Sequence, residues 1–193
     1  MDTKQLIAFL AVASKLKYHT RHCETSGGRK ESVAEHSWRA ALMAMLLADE
    51  HPELDSNKVI RMCLVHDLGE AITGDIPSFE KTAEDEKTEE KAVAGLIELL
   101  DGSQRQELAD LFLEIREKKT PEAKLFHAID KVEAVISHNE SSLDSWAELE
   151  FTLNRIYGWE EAQATPYMSS LRLQLQKDTD TLMTQYGKAP KEQ

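Results

Sequence analysis

Residues 66–77 of the chain read HDLGEAITGDIP, and this stretch decides how the fold is interpreted. It follows the apolar run at 59–65, which predicts a buried helix that ends in two metal-competent side chains, His66 and Asp67. On a continuing helix, Glu70 would lie one turn further along the surface that carries this pair. The stretch therefore predicts a carboxylate that can exchange a proton beside two metal ligands.

Helical signals cover most of the remaining sequence. Ser32 and Glu35 form a capping-box pattern before an apolar-periodic run, and Thr120 and Thr165 each precede a proline that suits the first helical turn. No alternating strand pattern and no hairpin dipeptide lies between the apolar runs. Helices are therefore predicted near 3–17, 32–50, 56–70, 83–100, 103–118 and 144–157, and from Thr120 and Thr165 onward.

These signals predict an all-α fold in one domain over residues 1–186. The length of 193 residues suits a single domain, and 41% hydrophobic with 30% charged residues is a globular balance. We expect residues 30–140 to hold the functional site and residues 187–193 to be a frayed tail. Two irregular segments, 20–31 and 73–78, are expected to flank the site residues.

The charge of the chain limits its function. A formal net charge of −12 argues against a nucleic-acid-binding protein, because such binding depends on clustered Lys and Arg. The apolar runs are about half the length of the ~20 residues that a membrane span needs, and no secretory signal follows Met1. The sequence thus predicts a cytoplasmic protein that binds neither nucleic acid nor membrane.

A metal needs more ligands than His66 and Asp67 can supply. His36 and Asp130 lie on two other amphipathic helices and are the candidates that complete the set. Two imidazoles and two carboxylates suit Mn²⁺, Fe²⁺, Co²⁺, Ni²⁺ or Zn²⁺ better than Ca²⁺ or a thiolate-bound zinc. Four protein ligands would leave open positions for water and a substrate oxygen, which favours hydrolysis.

In this order, His36, the pair His66-Asp67 and Asp130 resemble the H…HD…D signature of the HD-domain metal-dependent phosphohydrolases. Three stretches are more specific, and they resemble the bacterial 5′-deoxynucleotidase group and its eukaryotic HD-domain relatives. They are ESVAEHSW, HDLGEAITGDIP and AIDKVEA. The resemblance spans roughly residues 5–140.

The resemblance implies a helical HD-domain bundle in which those four residues hold one divalent ion. It also implies release of phosphate from deoxyribonucleoside 5′-monophosphates with Mn²⁺ or Co²⁺, and a homodimer; Zn²⁺, Fe²⁺, Ni²⁺ and Mg²⁺ are compatible as well. By position, Glu70 matches the acid-base residue, Asp75 the group beside the sugar and Arg21 the arginine that orients the phosphate; Glu70 and Asp75 are therefore the expected catalytic residues. Ser78, at the end of the following loop, is a further candidate for substrate binding.

One departure and two alternatives stay open. The resembling deoxynucleotidases carry an aromatic residue next to the arginine, whereas Arg21 is followed by His22, which leaves the substrate preference open. Trp38 could supply stacking but is expected in the core.

The alternatives are hydrolysis of another phosphate bond, in a nucleoside triphosphate or an alarmone, and a non-catalytic metal-containing module that senses nucleotides. Glu70 and Asp75 argue against the second, because a structural metal site would not need them.

Overall fold

A computed structural model describes residues 2–188, which form helices joined by short turns together with one small hairpin. The predicted helical fold is thereby confirmed. The helices are α1 (Thr3–Ala13), α2 (Val33–Leu46), α3 (Ser56–Val65), α4 (Glu70–Thr73), α5 (Ala83–Ile97), α6 (Gly102–Glu117), α7 (Pro121–Glu140), α8 (Glu150–Ile156), α9 (Trp159–Ala162) and α10 (Pro166–Gln185). The strands are β1 (Thr20–Glu24) and β2 (Lys30–Ser32).

The segment 20–31, predicted to be irregular, instead contains this hairpin. β1 and β2 pair antiparallel, with Thr20 opposite Ser32. Gly28 adopts a φ of 76° in the connecting turn, a conformation that glycine reaches without strain. The strands have five and three residues, too few for an alternating pattern to indicate them in advance.

The helix predicted near 56–70 ends earlier than expected. α3 stops at Val65, and a turn at 66–69 precedes α4. Within that turn, the backbone N–H groups of Leu68 and Glu70 donate to carbonyls three residues back. The expectation that one continuous helix aligns Glu70 with its neighbours is therefore wrong, and the turn sets its position instead.

A central strip of α7 organises the core. Phe126, Ile129, Val132 and Val135 recur at helical spacing, and each is at most 1% exposed. Residues of α2 and α3 pack against this strip in the same apolar cluster. Asp130 follows Ile129, so it lies at the edge of the core rather than on the outer surface.

The structure differs from two further expectations and does not test a third. Trp38 is 61% exposed, so its prediction as a core residue is wrong; α2 instead buries His36 and Ala40. Only the second half of the predicted 144–157 helix forms a regular α-helix, α8, because Trp146 is in an extended conformation. The predicted tail falls mostly outside the described residues, which end at 188. Among the described residues, no helix is long and apolar enough to cross a membrane.

We expect Gly158→Ala to destabilise the fold beside the candidate site. Gly158 has a φ of 74°, and a Cβ there would lie 2.7 Å from Lys131 Cβ, next to Asp130. The left-handed conformation and the steric conflict together should lower the free energy of unfolding by about 2 kcal/mol or more. Urea denaturation measures this change.

Gly95→Ala is the matched control for that substitution. Gly95 lies inside α5, and a Cβ there would have no heavy atom within 4 Å. Alanine should therefore stabilise the helix by about 0.5–1 kcal/mol. Equal stability of Gly158→Ala and the wild type would contradict the tight packing of α9 against α7.

Candidate metal centre and adjoining cavity

The four side chains predicted to bind a metal converge at one point. His36 Nε2 lies 3.0 Å from Asp130 Oδ1 and 3.8 Å from Asp67 Oδ2. His66 Nε2 lies 3.0 Å from Asp67 Oδ2 and 3.6 Å from Asp130 Oδ1. The four side chains are between 2% and 17% exposed, so the carboxylates and imidazoles face one another largely away from bulk water.

Three parts of the fold supply these side chains. His36 lies near the start of α2, and Asp130 lies midway along α7. His66 and Asp67 lie in the turn between α3 and α4. Adjacent residues on a regular helix point about 100° apart. His66 keeps helical dihedral angles at the end of α3 (φ −55°, ψ −39°), and the turn that follows is tighter, with Leu68 N–H donating to the carbonyl three residues back. In this tighter turn His66 and Asp67 both approach the same point.

The spacing of the four atoms fits a divalent ion. Adjacent ligands at about 2.0–2.1 Å from an ion lie about 2.8–3.4 Å apart in octahedral or tetrahedral geometry. The four nitrogen–oxygen separations run from 3.0 to 3.8 Å, and one ligand atom each of His36, His66 and Asp67 lies within 4.8 Å of the other two. His66 Nε2 is buried and makes no hydrogen bond, although two carboxylates face it. Since buried polar atoms are normally paired, this nitrogen is suited to a cation.

The other nitrogen of each imidazole is held by the protein. His66 Nδ1 donates a hydrogen bond to the carbonyl oxygen of Cys63 at 2.9 Å. His36 Nδ1 bonds to Glu133 Oε2 of α7. Partners of this kind orient metal-binding histidines and make them more basic. Both Nε2 atoms are thereby directed at the carboxylates of Asp67 and Asp130.

Glu133 is a functional candidate that the sequence analysis missed. Its side chain is fully buried, and besides His36 it contacts Arg39 Nε at 2.6 Å and Arg21 Nη1 at 3.3 Å. Burial raises the pKa of a carboxyl group, but these neighbours lower the pKa of Glu133 to about 2. The sequence could have indicated Glu133 as a site residue, because it lies three residues after Asp130, about one turn further along α7.

The charges of the centre are strongly coupled. Burial lowers the pKa of His66, yet Asp67 and Asp130 raise it well above the usual value. Burial raises the pKa of Asp130, but Lys131 and the two histidines hold it well below its usual value. Protons on the imidazoles therefore balance the carboxylates unless a cation replaces them, and metal binding at such a site releases protons.

Glu70 begins α4 and is 5% exposed. Burial, together with the negative charges of Asp67, Asp75 and Glu89, raises the pKa of Glu70 to about 10. Its Oε2 atom is buried without a hydrogen-bond partner. A carboxyl group that keeps its proton at neutral pH can act as a general acid, and a nearby cation favours its ionised form.

A cavity of about 310 Å³ joins the centre to the predicted substrate-binding residues. Arg21, Asp75 and Ser78 line this cavity, as do Glu70 and three of the four proposed ligands, His36, Asp67 and Asp130. Burial raises the pKa of Asp75. The structure thus brings every predicted site residue except His66 to the cavity wall. His66 does not line the cavity, but its Nε2 atom lies 3.0 Å from Asp67 Oδ2.

Arg21 is anchored at this wall by carboxylates. Its Nη1 atom lies 2.9 Å from Glu31 Oε2 and 3.3 Å from Glu133 Oε2. Burial lowers the pKa of Arg21, but the neighbouring negative charges raise it above the usual value, so the guanidinium stays charged. Its predicted contact with a phosphate stays a prediction.

Two lysines that the sequence analysis did not assign also line the cavity. Lys131 Nζ lies 3.1 Å from Asp130 Oδ2 and over the ring of Tyr157 at 5.3 Å. Lys81 forms an ion pair with Glu89. The sequence shows that Lys131 is adjacent to Asp130, but it does not show which way the Lys131 side chain points. The position of Lys81 depends on packing between distant segments.

Comparison with known proteins gives matches along most of the chain. A family model described as "HD domain" matches residues 13–172. A "5'-deoxynucleotidase HDDC2" from Dictyostelium discoideum is 32% identical over 187 residues, covering 89% of this chain and 97% of that protein. The protein of the same name from Homo sapiens is 33% identical over 141 residues, covering 71% and 68%. The crystal structure of a "predicted metal-dependent phosphohydrolase" from Magnetospirillum magnetotacticum is similar with a TM-score of 0.78 and 26% identity, covering 97% and 98%.

We expect Glu133→Gln to weaken metal binding without removing a ligand. The substitution removes the charge that orients His36 and should lower the affinity for a divalent ion by about 10- to 100-fold. Isothermal titration of the metal-free protein with Mn²⁺ measures the affinity. Glu140→Gln is the control, because Glu140 also pairs with Arg39 but lies at an exposed edge. Unchanged affinity in Glu133→Gln would exclude this positioning role.

Proposed function

The chain belongs to the HD-domain family, and on this premise we propose that it releases phosphate from deoxyribonucleoside 5′-monophosphates. It is a metal-dependent phosphohydrolase. The observation that carries the proposal is the convergence of two imidazoles and two carboxylates beside a cavity that also contains Arg21. A volume of about 310 Å³ is at the small end of ligand pockets, which favours a monophosphate over a larger substrate.

His36, His66, Asp67 and Asp130 would hold the ion. A divalent ion bound there would polarise a phosphate oxygen and lower the pKa of its bound water to about 7. We propose Mn²⁺ or Co²⁺, while the mixed nitrogen and oxygen donors also accept Zn²⁺, Fe²⁺, Ni²⁺ or Mg²⁺.

Residues around the four proposed ligands would transfer the proton, neutralise charge and bind the substrate. Glu70 is placed to exchange a proton with water or with the leaving oxygen, because its carboxyl group is buried next to Asp67. Arg21 stays charged and offsets the negative charge that spreads over the transferring phosphoryl group. Asp75 and Ser78 line the cavity beyond them and would contact the sugar.

The assembly and location of the protein are further parts of the proposal. We propose a cytoplasmic homodimer in which residues 1–186 of each chain form one domain. Exposed apolar side chains support self-association: Ile7 and Leu10 of α1 are 67% and 53% exposed, and Trp38 of α2 is 61% exposed.

The proposed activity is tested by phosphate release from a panel of ribo- and deoxyribonucleoside 5′-mono- and triphosphates. Metal-stripped protein is resupplied with Mn²⁺, Co²⁺, Zn²⁺ or Mg²⁺. We expect metal-dependent release from deoxyribonucleoside monophosphates. Glu70→Gln should lower kcat by about 10²- to 10⁴-fold, because it removes the group that transfers the proton.

Two variants bracket that result. Asp67→Asn should abolish release by weakening the hold on the ion, whereas Glu86→Gln, at an exposed cavity position, should behave as the wild type. Release from triphosphates alone would leave the metal centre in place but overturn the substrate assignment. Full activity in Glu70→Gln would remove that residue from the mechanism.

A further inference from the structure

A second group of metal-competent side chains lies on the wall of the same cavity. It consists of His22 in β1, His138 in the last turn of α7 and Glu150 at the start of α8. The two Nε2 atoms lie 3.1 Å apart, and both approach Glu150 Oε1, with His138 Nε2 at 2.7 Å. Three residues from distant parts of the sequence thus direct one atom each toward a common point.

Hydrogen bonds fix two members of this group from behind. His138 Nδ1 donates to the carbonyl oxygen of Ala134 at 3.1 Å. Glu150 Oε2 accepts from the backbone N–H of Ala147 at 2.7 Å. The bond to Ala134 requires a proton on His138 Nδ1, so in a neutral ring the Nε2 atom carries the lone pair and faces a carboxylate oxygen of Glu150. Such an arrangement is repulsive unless a proton or a cation lies between the two atoms.

The surroundings hold the group in place. The ring of Trp146 packs edge-on against His138 at 5.7 Å between centroids, and the ring of Phe79 packs against His22 at 5.4 Å. The side chain of Glu150 is only 4% exposed, and a buried carboxylate requires a positive partner.

We propose that His22, His138 and Glu150 bind a second divalent transition-metal ion, with Zn²⁺ as the best match. Two imidazoles and one carboxylate are a ligand set found in catalytic zinc sites, where a fourth position stays open. The backbone carbonyl that accepts from His138 Nδ1 is the kind of outer partner that metal-binding histidines have. The open position would face the cavity that the three residues line.

This second site is separate from the first centre. The two groups share no side chain, so no protein residue would bridge the two ions. None of the three residues belongs to the H…HD…D signature, so the second site does not follow from that motif. An ion there would present a positive charge to a ligand in the cavity that His22, His138 and Glu150 line.

The test is the zinc content of the protein after equilibrium dialysis at fixed free Zn²⁺, measured by inductively coupled plasma mass spectrometry. We expect two ions in the wild type and one in His22→Ala, in Glu150→Gln and in Asp67→Asn. His22→Ala combined with Asp67→Asn should retain none. Glu150→Gln keeps an oxygen that can accept from Ala147 N–H, and thermal melting of each variant verifies folding.

His19→Ala is the matched control, because His19 lies just before β1 and outside both groups, and it should retain two ions. One ion in the wild type, or two ions in both folded variants His22→Ala and Glu150→Gln, would overturn the proposal. In that case the three side chains form a hydrogen-bonded cluster without metal. The readout is metal content, so failure of the proposed nucleotidase activity would not affect it.

Discussion

The structure depends on the electrostatic balance at the point where α2, the α3–α4 turn and α7 meet. Asp67 and Asp130 are 17% and 15% exposed there, too buried for water to solvate their charges fully. Two imidazoles approach them within 3.0 Å and offer lone pairs or protons, depending on what occupies the space between. Buried carboxylates require a positive partner. A divalent cation bound there would satisfy all four groups at once, and we propose this point as the centre of the chemistry.

Glu133 connects the charges of the centre to other elements of the fold. It contacts His36 of the centre, Arg21 of the hairpin and Arg39 of α2, and Ser137 Oγ donates to its Oε1 at 3.2 Å. One buried carboxylate therefore fixes an imidazole, a cavity arginine and a helix-helix contact. Truncating a buried, paired charge leaves its partners uncompensated, so the hairpin and the centre are energetically linked.

The helical class, and the four side chains proposed as metal ligands, could be predicted from the sequence because each rests on a local pattern; the structure confirms the helical class and places the four side chains close together. Capping signals and apolar spacing mark most helices, and the short motifs around His36, His66 and Asp130 are specific. The turn at 66–69 could not be predicted, because nothing in the apolar run at 59–65 distinguishes a continuing helix from one that stops. The close approach of α5 to this turn depends on Gly69, because a Cβ there would lie 2.7 Å from Glu89 Cγ.

Contacts between distant segments account for the rest of what the sequence did not reveal. His36 and Glu133 form their hydrogen bond across 97 positions of the chain, and Arg21 and Glu133 form theirs across 112. No local pattern reports on pairs so far apart. Trp38 is exposed because the buried face of α2 is set by what packs on it, which the residue types alone do not specify.

The most direct test of the central claim is a crystal structure of the protein grown with Mn²⁺, with anomalous diffraction data that locate the ion. The account predicts an anomalous peak at about 2.0–2.3 Å from His36 Nε2, His66 Nε2 and one carboxylate oxygen each of Asp67 and Asp130. A well-folded protein with no manganese between these four side chains at saturating Mn²⁺ would contradict it.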